Sequence, residues 1–265
     1  MLIIGERINT SRRPISEAVK GFDSDFIIQE ARAQLEAGAD FLDVNAGTFA
    51  EKEREYLTWL VKTIRAEIDA PLCIDSSDPE VVREALQICG KGMMVNSISA
   101  ESENYAAMLP LIKEYDCKTI ALCLGDGAIP TELVEKLGIG FDLVDKLLSD
   151  GVPVDNIYVD PLIMTASTNP ESAQIALAII EEIHEKYPGI HTICGLSNIS
   201  FGLPVRKLLN RTFLVMAMAA GLDAVILDPL DKQMMANLIA TDTLLGRDDF
   251  CADYIAAYRE NRLSR

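Results

Sequence analysis

The chain has 265 residues, of which 49% are hydrophobic, enough for a substantial core, and this excludes an intrinsically disordered chain. Forty-one acidic against 24 basic side chains give a formal charge of −17, a field that repels phosphate backbones and anionic membrane surfaces. The longest basic cluster, Arg12 and Arg13, is an isolated pair that reads as a solvated surface feature, so neither nucleic acid nor a membrane is expected as a partner.

Met1 to Ile4 is too short for the apolar core of a signal peptide, and no uninterrupted apolar span is long enough to cross a bilayer. The cysteines at 73, 89, 117, 123, 194 and 251 are scattered, with no CxxC pair, and read as buried, reduced thiols. A cytoplasmic protein that binds no metal follows as the expectation.

Along the chain, short aliphatic and β-branched runs recur at Leu2 to Gly5, Phe41 to Val44, Leu72 to Ile74, Met93 to Val95, Thr119 to Cys123, Ile157 to Val159, Thr192 to Cys194 and Ala224 to Leu227. Each is apolar on both faces, as strands of a helix-covered parallel sheet must be. Helical patterns fill the intervals. The second helix shows the period best, with Leu57, Leu60, Val61, Ile64 and Ile68 on one stripe and charged residues on the rest. Ala37-Gly38-Ala39-Asp40 and Ala220-Gly221-Leu222-Asp223 repeat one connection, a helix ended by a left-handed Gly and followed by a buried strand. About eight βα units with no linker predict a single domain over 1–265, a (β/α)8 TIM barrel. Cys251 to Arg262 reads as one further helix, packed on the barrel bottom or on a neighbouring subunit.

In such a barrel the site forms where strands end, so the residues after each apolar run matter most. They are Glu6 and Asn9, Asp43 and Asn45, Asp75, Asn96 and Ser97, Asp160, Ser197 and Asn198, and Asp228. Asp78 before Pro79 reads as a helix cap, and Asp228 before Pro229 is read the same way. Three short polar side chains converging on one rim, Asp75, Asn96 and Asp160, are not explained by capping. Such groups suit a flat, uncharged heterocycle such as a 2-amino-4-oxo-pteridine, whose two adjacent N–H donors match one carboxylate. Gly125-Asp126-Gly127 is the only Gly-rich phosphate loop candidate, and GxG alone is a weak signal.

Gly5-Glu6-Arg7-Ile8-Asn9, Leu42-Asp43-Val44-Asn45-Ala46-Gly47, Cys73-Ile74-Asp75-Ser76, Val95-Asn96-Ser97, Tyr158-Val159-Asp160-Pro161-Leu162, Gly195-Leu196-Ser197-Asn198-Ile199-Ser200 and Asn210-Arg211-Thr212-Phe213-Leu214 follow one another at barrel-strand spacing. As a set they resemble the pterin-binding methyltransferase family, and within it the methyltetrahydrofolate:corrinoid protein methyltransferases. The resemblance implies a dihydropteroate-synthase-like, homodimeric barrel. It also implies methyltetrahydrofolate or tetrahydrofolate as substrate, with the methyl group passing between N5 and the cobalt of a corrinoid (cobalamin) on a separate, transiently bound protein.

By the same resemblance Asp75, Asn96 and Asp160 hold the pterin, with Glu6, Asn9, Gly195 and Ser197 in the binding set. Asn198 sits beside N5, where an amide can donate as the methyl leaves and accept when N5 is protonated. A network from Asn198 to Asp43 or Asn45 then manages the proton. Arg206 either neutralises the folate's glutamate or faces the corrinoid. The segment 201–206 is more similar to the folate domain of methionine synthase. His184 and His191, the only histidines, lie in no DxHxxG pattern, which places the corrinoid on another protein. Two alternatives stay open: a dihydropteroate-synthase-like condensation, suggested by Arg206-Lys207, and a non-catalytic folate-binding subunit. Tyr56 and Trp59 read as packing or dimer-surface residues, Met93, Met94, Met216 and Met218 as core, and Met164 as a further pocket candidate.

Overall fold

The aliphatic runs become eight parallel strands that close on themselves in chain order: β1 (Leu2–Asn9), β2 (Phe41–Asn45), β3 (Leu72–Asp75), β4 (Met94–Ser99), β5 (Lys118–Leu122), β6 (Ile157–Asp160), β7 (His191–Gly195) and β8 (Ala224–Leu227). This is seen in a computed structural model, which describes residues 1–263. Helices α1 (Arg13–Gly21), α2 (Ser24–Glu36), α3 (Glu53–Glu67), α4 (Pro79–Cys89) and α5 (Ser102–Glu114) surround the first half of the barrel. Helices α6 (Leu133–Ser149), α7 (Ser172–Lys186), α8 (Arg206–Ala219), α9 (Lys232–Leu244) and α10 (Ala252–Arg259) follow the later strands.

The strands are apolar on both faces because one face fills the lumen and the other meets the helices. Ile4, Phe41, Cys73, Met94, Ile120 and Ile193 plug the lumen, and none is more than 6% exposed. On the outside the predicted stripe of Leu57, Leu60, Val61 and Ile64 is fully buried, although its helix is the third of the chain, not the second. The miscount arises at Phe22, whose left-handed φ of 53° breaks the first connection in two, after which the Asp23 carboxylate caps α2 through Phe26 N. Tyr56 and Trp59 pack as expected, both in one aromatic cluster with Phe22 at centroid distances of 5.8 and 5.3 Å.

The two repeated Gly-containing connections act alike. Gly38 and Gly221 take φ of 103° and 112°, which L side chains rarely adopt, and each is followed by an Asp that reaches the neighbouring strand. Asp40 Oδ2 accepts from Ile3 N at 2.8 Å and Asp223 Oδ2 from Thr192 N at 3.0 Å, so each carboxylate satisfies a backbone donor at the barrel bottom.

β1 extends past Gly5 because its register shifts between Gly5 and Ile8 and then resumes with Ile8 opposite Val44 and Asn9 opposite Asn45. The irregular stretch is held by the buried Gln34, whose Oε1 accepts from Arg7 N at 3.0 Å. Gln34 lies where a side chain at residue 5 would stand, so Gly5 is a steric requirement.

Near the C-terminus the expected helix from Cys251 to Arg262 is shorter: a 3-10 turn at Asp249–Cys251 precedes α10, since Phe250 and Cys251 are both left-handed. Cys251 is exposed, whereas the other five cysteines are buried and free. Met93, Met94 and Met218 are core, but Met216 is 42% exposed on the outer face of α8. Among the described residues no helix is long and apolar enough to cross a membrane.

Candidate functional site

Side chains alternate along a strand, so the residues two positions beyond the lumen plug also point inward, nearer the C-terminal end. Beyond Phe41 this gives Asp43, beyond Cys73 Asp75, beyond Met94 Asn96 and beyond Ile193 Gly195. Strand register then lines the inward residues up: Asn9 pairs with Asn45, Asn45 with Asp75, and Asp75 with Asn96.

Above this row opens a cavity of about 390 Å³. Its wall carries Glu6, Asn9, Asp43, Asp75 and Asn96 from the first four strands and Gly195, Ser197, Asn198 and Arg206 from β7 and the segment after it. The volume suits one small heterocyclic ligand. Nine of the eleven residues expected at the site therefore share one cavity, while Asn45 and Asp160 stand just behind its wall. Asn45 is drawn into local bonds, its Oδ1 accepting from Gly47 N at 3.0 Å and its Nδ2 donating to Asp75 O at 3.3 Å. It buttresses Asp75. Asp160 Oδ1 accepts from Leu162 N at 2.7 Å, a local turn of the kind expected of a cap, and the Gly195 backbone N–H also serves this carboxyl.

The carboxyl groups are shifted upward. Burial pushes Asp75 to about 6, against the Asn45 hydrogen bond and with help from the charge of Glu53. Burial likewise pushes Asp160 to about 6, opposed by the Leu162 N–H and by Lys136. Asp43 is raised well above the ordinary carboxylate range, first by burial and next by the Asp75 charge. Its Oδ1 is buried without a hydrogen-bond partner, although Cys73 and Asn96 approach the group and oppose the shift. Burial also raises Glu6, against the hydrogen bond from Ser197.

Asn198 rides on a 3-10 turn, Leu196–Ser200, directly after β7. Its Nδ2 lies 3.2 Å from where a Cβ on Gly195 would be, so the glycine makes room for the amide to lie back over the strand end. Three residues pin the turn. Ser197 Oγ donates to Glu6 Oε1 at 2.9 Å, Arg206 Nη2 donates to Ser197 O at 2.7 Å, and Arg206 Nε donates to Ser200 Oγ at 3.1 Å. Asn210 Nδ2 adds a long bond of 3.4 Å to Ser197 Oγ.

The basic pair at 12 and 13 divides. Arg13 is a surface residue paired with Glu17, but Arg12 lines the cavity, 3.7 Å from Asp228. The solvated reading of Arg12 is thus corrected, and the cavity holds two guanidiniums facing three carboxyls. Its signal was position: it follows Asn9 at a strand end, and Pro14 starts a helix at once. Phe201, just after the 3-10 turn, and Ile226 of β8 also line the cavity, Ile226 unforeseen because an apolar strand residue looks like core. Asp228 is no helix cap: Oδ1 accepts from Leu230 N at 3.0 Å, Oδ2 pairs with Arg7 at 2.9 Å, and Asp231 caps α9 through Met234 N. Met164 is absent from the lining and engages Ser172 Oγ through its carbonyl at 2.6 Å. Asp78 caps α4 as expected. His184 and His191 sit at the opposite end of the barrel, 3.3 and 3.6 Å from Asp223 Oδ2. Among the described residues no group of three or more His, Cys, Asp and Glu is arranged to hold a metal ion.

The closed parallel barrel carries an amide- and carboxylate-lined mouth, and the chain belongs to the pterin binding enzymes, whose family model matches residues 5–228. Within that family the chain is 38% identical over 265 residues to the methylcorrinoid:tetrahydrofolate methyltransferase of Eubacterium limosum, covering 99% of this chain and 98% of that protein. It is 27% identical over 239 residues to the methionine synthase of Mycobacterium tuberculosis, where 85% of this chain matches 20% of that longer protein. The 7,8-dihydropteroate synthase from Vibrio fischeri ES114 has the same fold, with a TM-score of 0.71 at 17% identity over 92% of this chain and 93% of that one.

Proposed function

We propose that the protein is a methyltransferase that moves a methyl group between N5 of tetrahydrofolate and the cobalt of a corrinoid carried by a separate protein. The observation that carries the reading is the convergence of Asp75, Asn96 and Asn198 on one cavity in a chain so similar, end to end, to a methylcorrinoid:tetrahydrofolate methyltransferase. Similarity to dihydropteroate synthases is confined to the fold, at 17% identity.

In this reading Asp75 accepts from the 2-amino and ring N–H donors of the pterin, Asn96 serves a ring nitrogen, and Asp160 completes the edge from behind Gly195. Glu6 and Asn9 border the same ligand. When the methyl leaves folate, the electron pair of Co(I) forms the bond to carbon, the C–N5 pair stays on nitrogen, and N5 takes up a proton. Asn198 donates to N5 as that charge develops, an interaction stronger in the transition state than in the ground state. Asp43 is the proton store in this reading: burial and the Asp75 charge favour its protonated form, and its Oδ1 has no hydrogen-bond partner in the protein. Asn45 acts through Asp75, which it braces.

Two finer points belong to the same proposal. A homodimer is supported by the exposed apolar side chains on and between α8, α9 and α10, where Leu208, Leu244, Phe250 and Tyr258 are 62%, 87%, 99% and 71% exposed. A cytoplasmic setting is supported by five buried free thiols. The test of function is direct: methyltetrahydrofolate is mixed with cobalamin reduced to Co(I), and methylcobalamin with tetrahydrofolate, and the cobalt spectrum is followed. Enzyme-dependent interconversion in either direction is expected. A spectrum unchanged by enzyme in both mixtures overturns the reading.

A further inference from the structure

Lys136 is buried to 2% exposure on α6, outside the cavity and behind the barrel wall, and it is the one basic residue buried so deeply among the described residues. An ammonium taken out of water is costly unless its donors are met. Here two of the three are met by carbonyl oxygens: Nζ donates to Pro161 O at 3.0 Å and to Leu162 O. These belong to the two residues that follow Asp160 at the end of β6. Leu162 is held at a φ of 52°, in the left-handed region, and its N–H makes the 2.7 Å bond to Asp160 Oδ1. A continuous path therefore runs from the ammonium through two carbonyls and one peptide N–H to the carboxylate.

The sequence explains how α6 comes so near. Gly140 lies four residues beyond Lys136, on the same helix face, and a Cβ there would stand 2.9 Å from Cys123 Sγ just after β5. With no side chain at 140 the helix settles onto the barrel, and Lys136 reaches the neighbouring strand end.

We infer that Lys136 is a positioning residue for pterin recognition, fixing the turn at Pro161 and Leu162 and supplying the one positive charge that keeps Asp160 an acceptor. The inference rests on the reading of the cavity as a pterin site. The groups facing Asp160 are Lys136 from α6, the Cys123 thiol after β5 and the Cys194 thiol of β7. Burial raises Cys123 to about 12 and Cys194 well above the ordinary thiol range, so both thiols are neutral and the ammonium is the only charge among them. Opposite charge nearby favours the ionised carboxyl, and the ionised form offers acceptors only, both to the Leu162 N–H and to a ligand donor.

The test compares the wild type with Lys136→Gln, which keeps a donor and loses the charge, and with Lys136→Met, which loses both. Tetrahydrofolate affinity is titrated from pH 5 to 8, with thermal unfolding recorded alongside. In Lys136→Gln the acid limb of the binding profile is expected to move up by about one pH unit, the scale of an opposite charge lost beside a carboxyl. Adding Asp160→Asn to the wild type and to the Lys136→Gln variant should abolish the difference between them. A Lys136→Gln protein whose profile keeps its midpoint, or is weakened by one factor at every pH, overturns the inference even if stability falls. Lys136→Met need not fold for this outcome to be read. A wild type that binds no tetrahydrofolate at any pH overturns the pterin reading itself, a result distinct from an unmoved midpoint.

Discussion

Arg206 Nη2 donates to the carbonyl oxygen of Ser197 at 2.7 Å, and its Nε reaches Ser200 Oγ, so one guanidinium spans the turn that presents Asn198. A side chain that the sequence offered as a partner for glutamate or for the corrinoid is occupied with backbone geometry. Arg206→Ala should therefore lower the rate of methyl transfer by about 10- to 100-fold, the scale on which a misplaced catalytic amide costs rate. The loss should be equal with methyltetrahydrofolate and with a methylated tetrahydropterin lacking the glutamate. A loss confined to the glutamate-bearing substrate would assign Arg206 to the carboxylate instead.

Asn198→Ala removes the amide proposed to donate to N5 and leaves Asp75 and Asn96, the residues proposed to hold the pterin edge, in place. Single-turnover methyl transfer should fall by roughly 100-fold or more, as for loss of one donor to developing charge. Equilibrium binding of tetrahydrofolate should change little. Transfer near the wild-type rate with unchanged binding would show that this amide has no part in the step.

Asp75 makes the ligand-free fold less stable at neutral pH. Its folded value of about 6 lies above the ordinary 3.8, so the folded state holds the extra proton and stability is lost as pH rises through 6. Asp75→Asn should be more stable than the wild type at pH 7.5 by about 2–3 kcal/mol, a difference that closes by about pH 3, below the unfolded value. The same variant should lose pterin affinity. Urea titrations at both pH values check the sign, and a difference that grows toward acid would refute it.

Gly5 is fixed by Gln34, which fills the space of its missing side chain. Gly5→Ala should cost about 1–3 kcal/mol by overpacking and disturb the Arg7 N–H bond at the irregular stretch of β1. Because Glu6 lies in that stretch and Asn9 just after it, pterin affinity should fall in parallel. Denaturant melts and a binding titration on the same preparation check both.

Phe250→Glu and Leu244→Lys place charges at two exposed apolar positions beside α9 and α10 without touching the barrel mouth. Each should convert the proposed dimer to monomer in sedimentation equilibrium while leaving the far-ultraviolet spectrum unchanged. A wild type that sediments as a monomer would remove the dimer from the proposal.

Much of this was legible in the chain itself. Alternation of period 2 sends Asp43, Asp75 and Asn96 to the face that fills the lumen, and the stripe through Leu57, Leu60, Val61 and Ile64 turns its helix toward the sheet, because both periods are properties of the local backbone. The Gly-Ala-Asp and Gly-Leu-Asp connections announced themselves for the same local reason.

What local patterning does not encode is competition for hydrogen bonds among residues far apart in sequence. Asn45 and Asp160 end their strands as their neighbours do, yet backbone donors of Gly47 and Leu162 draw them partly away from the cavity. Arg12 looked like a surface charge until Asp228, brought beside it when β8 pairs with β1, turned it inward. Glu6 and Ser197, 191 residues apart, meet only because the barrel closes, and that closure holds the turn of Asn198. The sequence by itself determined which polar groups stand at the strand ends, since alternation and strand length are local; the tertiary structure decided which of them remain free to meet a ligand, since that depends on partners only the closed barrel supplies.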